Sequence, residues 1–344
     1  MDDVRRELAL RGILRGVPAP VALPTGLARL AEEQAGVVSR RQAVALGLPD
    51  RDLAALVRHG RWRRVHRGVY AVHTGPLPPA AGLWAAVLAC GAGAAVSHRT
   101  AAEVHGLYDG RSCPVHISVP AHRRVEPPEG VRLHLARDLP SRLRQGPGLP
   151  RTSVEATVLD LVSAATRRGD VVDVVTRASQ RRVTTGDRLL AAAEGRAKLR
   201  HRALLVALVA DAASGVHSAL ERDYLVGVER AHDLPRGRRQ AHAIDSDGRV
   251  RWYDVAYDEH GLLVELDGLG AHPDEARARD QWRDNAALLA GHGRTLRFGW
   301  AHVVAAPCAT AGQVVVALRL GGWAGRPRAC GPACGLVRVG GRRA

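Results

Sequence analysis

Three carboxylates in the C-terminal third of the chain stand at a spacing that suits metal-assisted chemistry. Asp254 lies in one apolar strand-like segment, and Glu265 and Asp267 lie in the next, with a polar turn between the two. This pattern predicts a β-hairpin. If the hairpin is centred on Glu259 and His260, the numbers of facing residues sum to 519. Asp254 then faces Glu265, and Asp267 lies on the same side of the sheet.

Carboxylates crowded on one face of a sheet repel each other unless a positive charge offsets them. Mg²⁺ or Mn²⁺, hard cations that prefer oxygen ligands, would supply that charge. Metal-assisted phosphodiester cleavage requires such an arrangement. The alternative is a solvated hairpin with ordinary surface acids. The apolar residues around Glu265 favour a strand covered on both sides, where carboxylates are uncommon.

The net charge of the chain favours a polyanionic partner. The 344 residues carry a formal charge of +16, and Lys198 is the only lysine. An excess of base this large favours nucleic acid first and an anionic membrane second. Aromatic residues make up only 3% of the chain, so single-strand binding through stacked bases is not favoured.

The cysteines and the apolar stretches indicate a cytoplasmic protein without a membrane partner. Five cysteines stand at irregular spacing, which predicts reduced thiols. Cys330 and Cys334 have no matching second pair, so no zinc site is expected there. The longest apolar stretch is too short and too rich in Gly and Ala to span a bilayer, and we expect no signal peptide.

Residues 1–21 are predicted to be a leader and linker, and residues 22–75 a winged helix-turn-helix. Three short helices are followed by a basic strand pair, which is the order of elements in that fold. Ser39 is predicted to cap the second helix, and Pro49 to open the third. Trp62, Val65, Val69 and Tyr70 are predicted to pack inward from the strand pair.

Arginines crowd the predicted DNA-facing elements of this domain. Six are predicted to reach DNA: Arg51 and Arg58 on or beside the recognition helix, and Arg61, Arg63, Arg64 and Arg67 on the wing. Arginines at such positions pair with phosphates or enter the minor groove. The predicted partner is double-stranded DNA. The alternative is a winged helix that contacts another protein.

The rest of the chain predicts a multi-domain α/β protein. Residues 76–210 are predicted to form an α+β domain, residues 211–320 an α/β domain, and residues 321–344 a flexible Gly- and Arg-rich tail. The middle segment contains no chemical motif. Ser97 is interpreted there as a helix N-cap with solvated neighbours His98 and Arg99.

Residues 214–320 resemble the PD-(D/E)xK nuclease superfamily, in its very-short-patch-repair-like branch. The matching positions are Glu221, Asp254, the string Val264-Glu265-Leu266-Asp267-Gly268, His272, Asp280, Arg283 and Leu296-Arg297-Phe298. The resemblance implies a restriction-endonuclease-like α/β domain that cleaves DNA with Mg²⁺ or Mn²⁺.

The same resemblance implies a role for each candidate residue. Asp254 and Glu265 would be metal ligands, Glu221 would act through water or orientation, His272 as acid or base, and Arg283 on the phosphate. Asp267 takes the place where the superfamily usually has lysine, and no lysine lies in this domain. It would instead serve as a third metal ligand.

Residues 22–75 look like the winged helix of the AbiEi family, antitoxins and autoregulators of toxin–antitoxin systems. The strings Ser97-His98-Arg99-Thr100-Ala101-Ala102 and Arg151-Thr152-Ser153 fit proteins that join this module to the nuclease-like one. A cognate toxin is then an implied partner, in a phage-defence or toxin–antitoxin setting. Three functions stay open: a DNA endonuclease, a non-catalytic regulator that binds its own promoter, and a module that neutralises a toxin.

Overall fold

A computed structural model describes residues 23–214, 218–244, 248, 250–268 and 293–338. The chain separates into two compact units. Unit 1 holds residues up to 101 and residues 111–153, and unit 2 holds residues 102–110 and those from 154 onward. Among the described residues, no helix is both long and apolar enough to cross a bilayer.

The described residues include eleven α-helices and ten strands. The helices are α1 Thr25–Glu33, α2 Arg40–Ala45, α3 Asp50–Arg58, α4 Pro79–Cys90, α5 His98–Val104, α6 Val154–Ala164, α7 Arg168–Gln180, α8 Gly186–Glu194, α9 Arg202–Ser214, α10 Ser218–Tyr224 and α11 Pro307–Leu320. The strands are β1 Val37–Ser39, β2 Arg63–His66, β3 Val69–Ala71, β4 Ala95–Val96, β5 Val115–Pro120, β6 Val131–Ala136, β7 Arg238–Ile244, β8 Val250–Tyr257, β9 Leu262–Asp267 and β10 Arg294–Gly299.

The first part of unit 1 has the elements of a winged helix-turn-helix. Helices α1, α2 and α3 pack with a three-stranded sheet of order β1-β3-β2. Their apolar faces enclose a small core that contains Leu27, Leu53, Leu56 and Trp62. The predicted helices and strand pair are confirmed. Strand β1 was not predicted, because three residues are too few to show an alternating pattern.

Helix α2 begins with the N-cap predicted at Ser39, and Gln42 completes a capping box. The Ser39 hydroxyl accepts a hydrogen bond from the Gln42 amide at 3.2 Å, and the Gln42 side chain accepts one from the Ser39 amide at 2.9 Å. The Arg40 amide donates to the carbonyl of Gly68 at 2.7 Å. The start of α2 is therefore fixed to the turn between β2 and β3.

Removing this cap is expected to loosen α2 locally. Because an N-cap hydroxyl contributes about 1 kcal/mol, Ser39→Ala should lower hydrogen-exchange protection of the α2 amides about fivefold. Ser39→Thr keeps the acceptor and serves as the control, with protection close to that of the wild type. Equal protection in Ser39→Ala and the wild type would show that the cap contributes nothing.

Helix α4 covers the face of the winged-helix sheet that points away from α1–α3. Ala81 and Ala85 of α4 are fully buried and share a cluster with Val37 of β1 and Val69 of β3. Beyond α4, a second sheet has the order β4-β5-β6, with β5 and β6 parallel. Strands β5 and β6 pair over their whole length, from Val115 with Val131 to Pro120 with Ala136.

Unit 2 joins a helical layer to a four-stranded sheet. The sheet has the order β10-β9-β8-β7, in which β7, β8 and β9 are antiparallel neighbours and β10 runs parallel to β9. Residues of α6–α11 and of one sheet face belong to one buried cluster, which includes Val171, Leu208, Val264 and Phe298. The sequence predicts domain boundaries at about residues 76 and 210, whereas the two units of the structure divide mainly at residue 153. The difference arises because α6–α9 share a core with the sheet.

Residues just after α11 pack against unit 2, although their composition predicts a flexible tail. Cys334 and Leu336 are each only 8% exposed and belong to the main buried cluster. Trp323 packs against the same cluster, and its amide donates to the Leu318 carbonyl at 3.0 Å. A few apolar anchors are enough to hold a Gly- and Arg-rich segment in place. Residues 1–22 and 339–344 lie outside the described residues.

The interpretation of His98 and Arg99 as solvated neighbours of a capping serine is wrong. Ser97 is fully buried, and both following residues are half-buried. The His98 ring stacks on that of His134 with centroids 3.6 Å apart, and His134 hydrogen-bonds His116 at 3.0 Å. The cause is the parallel pairing of β5 with β6, which sets His116 and His134 close together beside the start of α5.

Candidate functional site

An ion pair fixes the recognition helix α3 against α2. Asp50, in the first turn of α3, accepts two hydrogen bonds from the Arg40 guanidinium, one of them 2.8 Å long from Nε to Oδ1. Both charged side chains are more than half exposed, so the pair contributes orientation rather than much stability. The buried Leu53 and Leu56 turn the opposite face of α3 outward.

The outer face of α3 carries the two arginines predicted there. The Arg51 side chain is 86% exposed, with its Nε 3.5 Å from the Asp52 carboxylate. Arg58 is exposed in the last turn of the helix. Residues 27–73 hold nine arginines against four acids, a net charge of +5. The surface therefore has the charge that attracts phosphates.

The wing, the hairpin formed by β2 and β3, presents three further arginines to solvent. Arg63, Arg64 and Arg67 are exposed. Trp62, just before β2, and Val69 of β3 are 4% and 1% exposed and belong to two separate buried clusters. Val65 and Tyr70 are half-buried. The hairpin is therefore anchored by apolar side chains, while its arginines stay exposed. Arg61 is half-buried and takes part in interactions within the protein. The six predicted arginines thus divide into five exposed and one that is partly engaged.

The carboxylate row, defined as Asp254, Glu265 and Asp267, lies on the hairpin with the predicted register. The pairs Val255 with Val264 and Tyr257 with Leu262 both sum to 519. The hydrogen-bonded ladder ends at Val255, and the Asp254 carboxylate accepts the Leu266 amide at 2.6 Å.

The positive charge beside the carboxylate row belongs to Arg297. This residue pairs with Glu265 across the parallel strands β9 and β10, and its guanidinium donates to the Glu265 carboxylate. Its Nη1 also lies 3.8 Å from the Asp267 carboxylate. Glu265 is 6% exposed, so a buried carboxylate has the charged partner that it requires.

Glu221 is tied to the far edge of the same sheet. The Gln240 side chain donates to the Glu221 carboxylate at 2.9 Å. Gln240 has a φ of +47°. It makes no β-ladder pair itself, although its neighbours Arg239 and Ala241 pair with Val255 and Tyr253 of β8. The flanking pairs set Gln240 opposite Asp254. Glu221, bonded to Gln240, therefore lies beside the edge of the sheet at the level of Asp254.

The arrangement fits an ion pair better than a divalent metal. The row has the oxygen donors that Mg²⁺ prefers, but the Glu265 carboxylate is bonded to Arg297. A metal would have to displace that guanidinium, so no hydrolytic step is derived from this geometry. The predicted residues His272, Asp280 and Arg283 lie outside the described residues.

Unit 2 also contains a group of soft metal ligands that the sequence pattern did not predict. The Cys–His cluster consists of His232, Cys308, Cys330 and Cys334, whose ligand atoms all lie within 4.8 Å of one another. The only sequence signal was the spacing of Cys330 and Cys334. Cys308 precedes Cys330 by 22 residues, and His232 lies farther from it along the chain. Only the fold brings the four side chains together.

Comparison with known families supports the interpretation of the first part of unit 1. Residues 27–73 match a family model described as a transcriptional regulator, AbiEi antitoxin. The match covers α1–α3 and the wing. It does not reach the sheet of unit 2, so it gives the endonuclease resemblance no support. No curated protein matches the chain.

Proposed function

We propose that this protein is a transcriptional regulator of the AbiEi antitoxin type that binds duplex DNA through its winged helix. The observation that carries the proposal is the exposed arginine surface of α3 and the wing, within the residues that match the family. In such folds α3 enters the major groove, while the wing contacts the backbone or the minor groove. Regulation of its own promoter follows from the autoregulatory character of that family.

The duplex upstream of the protein's own coding sequence is the probe that tests regulation. Binding of the full chain is measured by fluorescence anisotropy against a shuffled duplex of equal length and composition. We expect the upstream duplex to bind at least about 100-fold more tightly, within the usual range for specific sites. Equal affinity for both duplexes would contradict the regulator proposal while leaving nonspecific DNA binding intact.

The antitoxin description also suggests a cognate toxin as a partner. The product of the adjacent gene is the probe for this part of the proposal. Copurification of that product with the full chain would support it, and two separately eluting proteins at micromolar concentration would contradict it.

A second candidate function is metal-dependent DNA cleavage by unit 2. The observation that favours it is the hairpin register, in which Val255 pairs with Val264 and Asp254 and Glu265 are the next residues along the two strands. Mg²⁺ or Mn²⁺ held by Asp254 and Glu265 would supply charge stabilisation and an activated water. The ion pair between Glu265 and Arg297 argues against this candidate.

We therefore expect no metal-dependent cleavage. Supercoiled plasmid incubated with the full chain and Mg²⁺ or Mn²⁺ should stay intact, because Arg297 already neutralises the position that a metal would take. Asp254→Ala and Glu265→Ala proteins serve as controls for contaminating nuclease. Cutting by the wild type that disappears in both variants would establish the enzyme and contradict our interpretation of the ion pair.

A further inference from the structure

The four residues of the Cys–His cluster come from three separate parts of unit 2. His232 follows the helical segment that ends at Arg230, Cys308 lies in the first turn of α11, and Cys330 and Cys334 flank a short turn after α11. Thiolate sulfur and imidazole nitrogen are the ligands that select Zn²⁺. We propose that this cluster binds one Zn²⁺ as a structural site.

The His232 ring has one nitrogen that could bind a metal ion. It is fully buried, and its Nδ1 lies 3.0 Å from the Val228 carbonyl, to which it can donate only as the Nδ1–H tautomer. That bond leaves a lone pair on Nε2. Within the part of the chain that the structure describes, this buried Nε2 has no hydrogen-bond partner. A buried nitrogen without a hydrogen bond lowers the stability of the fold, and a bound metal would remove that cost. Zinc-binding histidines commonly donate a hydrogen bond from the ring nitrogen that does not bind the metal, as Nδ1 of His232 does here.

The sulfur atoms have the spacing of a tetrahedral site. The Sγ atoms of Cys308 and Cys330 are 3.4 Å apart. A tetrahedron with Zn–S bonds of about 2.3 Å has edges of about 3.8 Å, so small side-chain rotations suffice to admit the ion. Three residues separate Cys330 from Cys334, which is within the spacing seen for cysteine pairs in zinc sites.

Four protein ligands leave no open position for water or substrate, which is the mark of a structural site. Binding would release the thiol protons to solvent and give three thiolates and a neutral imidazole around Zn²⁺. The ion would fasten the segment after α11 to the start of that helix and to His232. The Arg328 amide already donates to the His232 carbonyl at 2.8 Å along the same path.

A disulfide between Cys308 and Cys330 is the competing use of these thiols. It would leave the buried Nε2 of His232 and the thiol of Cys334 without a role. All five cysteines are free in the structure. The two alternatives differ in metal content, so one set of measurements separates them.

The test compares the full-length wild type with Cys330→Ser and Cys113→Ser, all purified with a reductant. Both cysteines are exposed, so neither variant threatens the core, and Cys113 lies outside the cluster. Zinc content is measured by mass spectrometry, zinc affinity by competition with a colorimetric chelator, and tetrahedral thiolate coordination by the visible absorption of the Co²⁺-substituted protein. Circular dichroism verifies folding.

We expect one zinc per chain in the wild type and in Cys113→Ser, with the Co²⁺ absorption of a thiolate-rich tetrahedral site. Cys330→Ser should lose at least about 100-fold in zinc affinity, since a ligand is removed. Wild-type protein that contains reduced thiols but neither retains zinc nor binds Co²⁺ would overturn the proposal. So would equal zinc affinity in Cys330→Ser, or a Cys308–Cys330 disulfide that persists in the reductant.

Discussion

Replacing Arg63, Arg64 and Arg67 together by alanine is expected to lower affinity for duplex DNA by on the order of 100-fold. These three arginines lie on the wing, and their side chains are exposed to solvent. Each lost phosphate contact is worth about 1 kcal/mol at an exposed site. The core of the winged helix lies behind the wing, so the variant should fold like the wild type. Fluorescence anisotropy on one labelled duplex measures the change.

A second triple variant controls for the loss of charge alone. Arg132, Arg137 and Arg144 are exposed in the same unit but outside the residues that match the antitoxin family. Their replacement by alanine removes an equal number of positive charges. We expect the affinity for duplex DNA to fall by no more than about threefold, because only the overall electrostatic attraction is weakened. Equal losses in the two variants would mean that net charge, rather than the wing, determines binding.

Arg297→Ala is expected to lower the free energy of unfolding of unit 2 by about 3–5 kcal/mol. Glu265 is 6% exposed, and the Arg297 side chain is 19% exposed. Removing the guanidinium leaves the buried carboxylate without its charged partner, which costs more than the loss of an exposed pair. Urea unfolding measures the change, with secondary structure verified first by circular dichroism.

Arg238→Ala is the matched control for this variant. Arg238 of β7 also pairs with a carboxylate, that of Asp258 in the turn after β8, at 2.8 Å, but both side chains are more than half exposed. An exposed pair contributes about 0–1 kcal/mol, so Arg238→Ala should change stability little. The double variant Glu265→Gln/Arg297→Ala should be less destabilised than Arg297→Ala, because it removes the uncompensated charge. Equal effects of Arg297→Ala and Arg238→Ala would contradict the buried ion pair.

The sequence predicted those features that depend on residues close together along the chain. The Ser39 capping box follows from two side chains three residues apart. The hairpin register follows from the symmetry of its turn and is confirmed by Val255 opposite Val264. The basic character of the wing follows from the four arginines between positions 61 and 67. In each case the physical cause is local, so a short window of sequence contains it.

The features that sequence reasoning missed depend on contacts between distant residues. Arg297 reaches Glu265 only because β10 lies parallel to β9, and the sequence therefore suggested a metal as the missing counter-charge. His98 stacks on His134 from another element. The Cys–His cluster joins positions as far apart as His232 and Cys334. None of these pairings has a periodicity or spacing that would reveal it.

DNA binding by the arginine surface should make the affinity for duplex DNA depend steeply on salt concentration. If the five exposed arginines of α3 and the wing contact phosphates, the logarithm of the association constant should fall against the logarithm of salt concentration with a slope of about −4.5. Removing Arg63, Arg64 and Arg67 should reduce that slope by about 3 in magnitude. A wild type that does not bind duplex DNA at low salt, or a slope that the wing variant leaves unchanged, would contradict the claim.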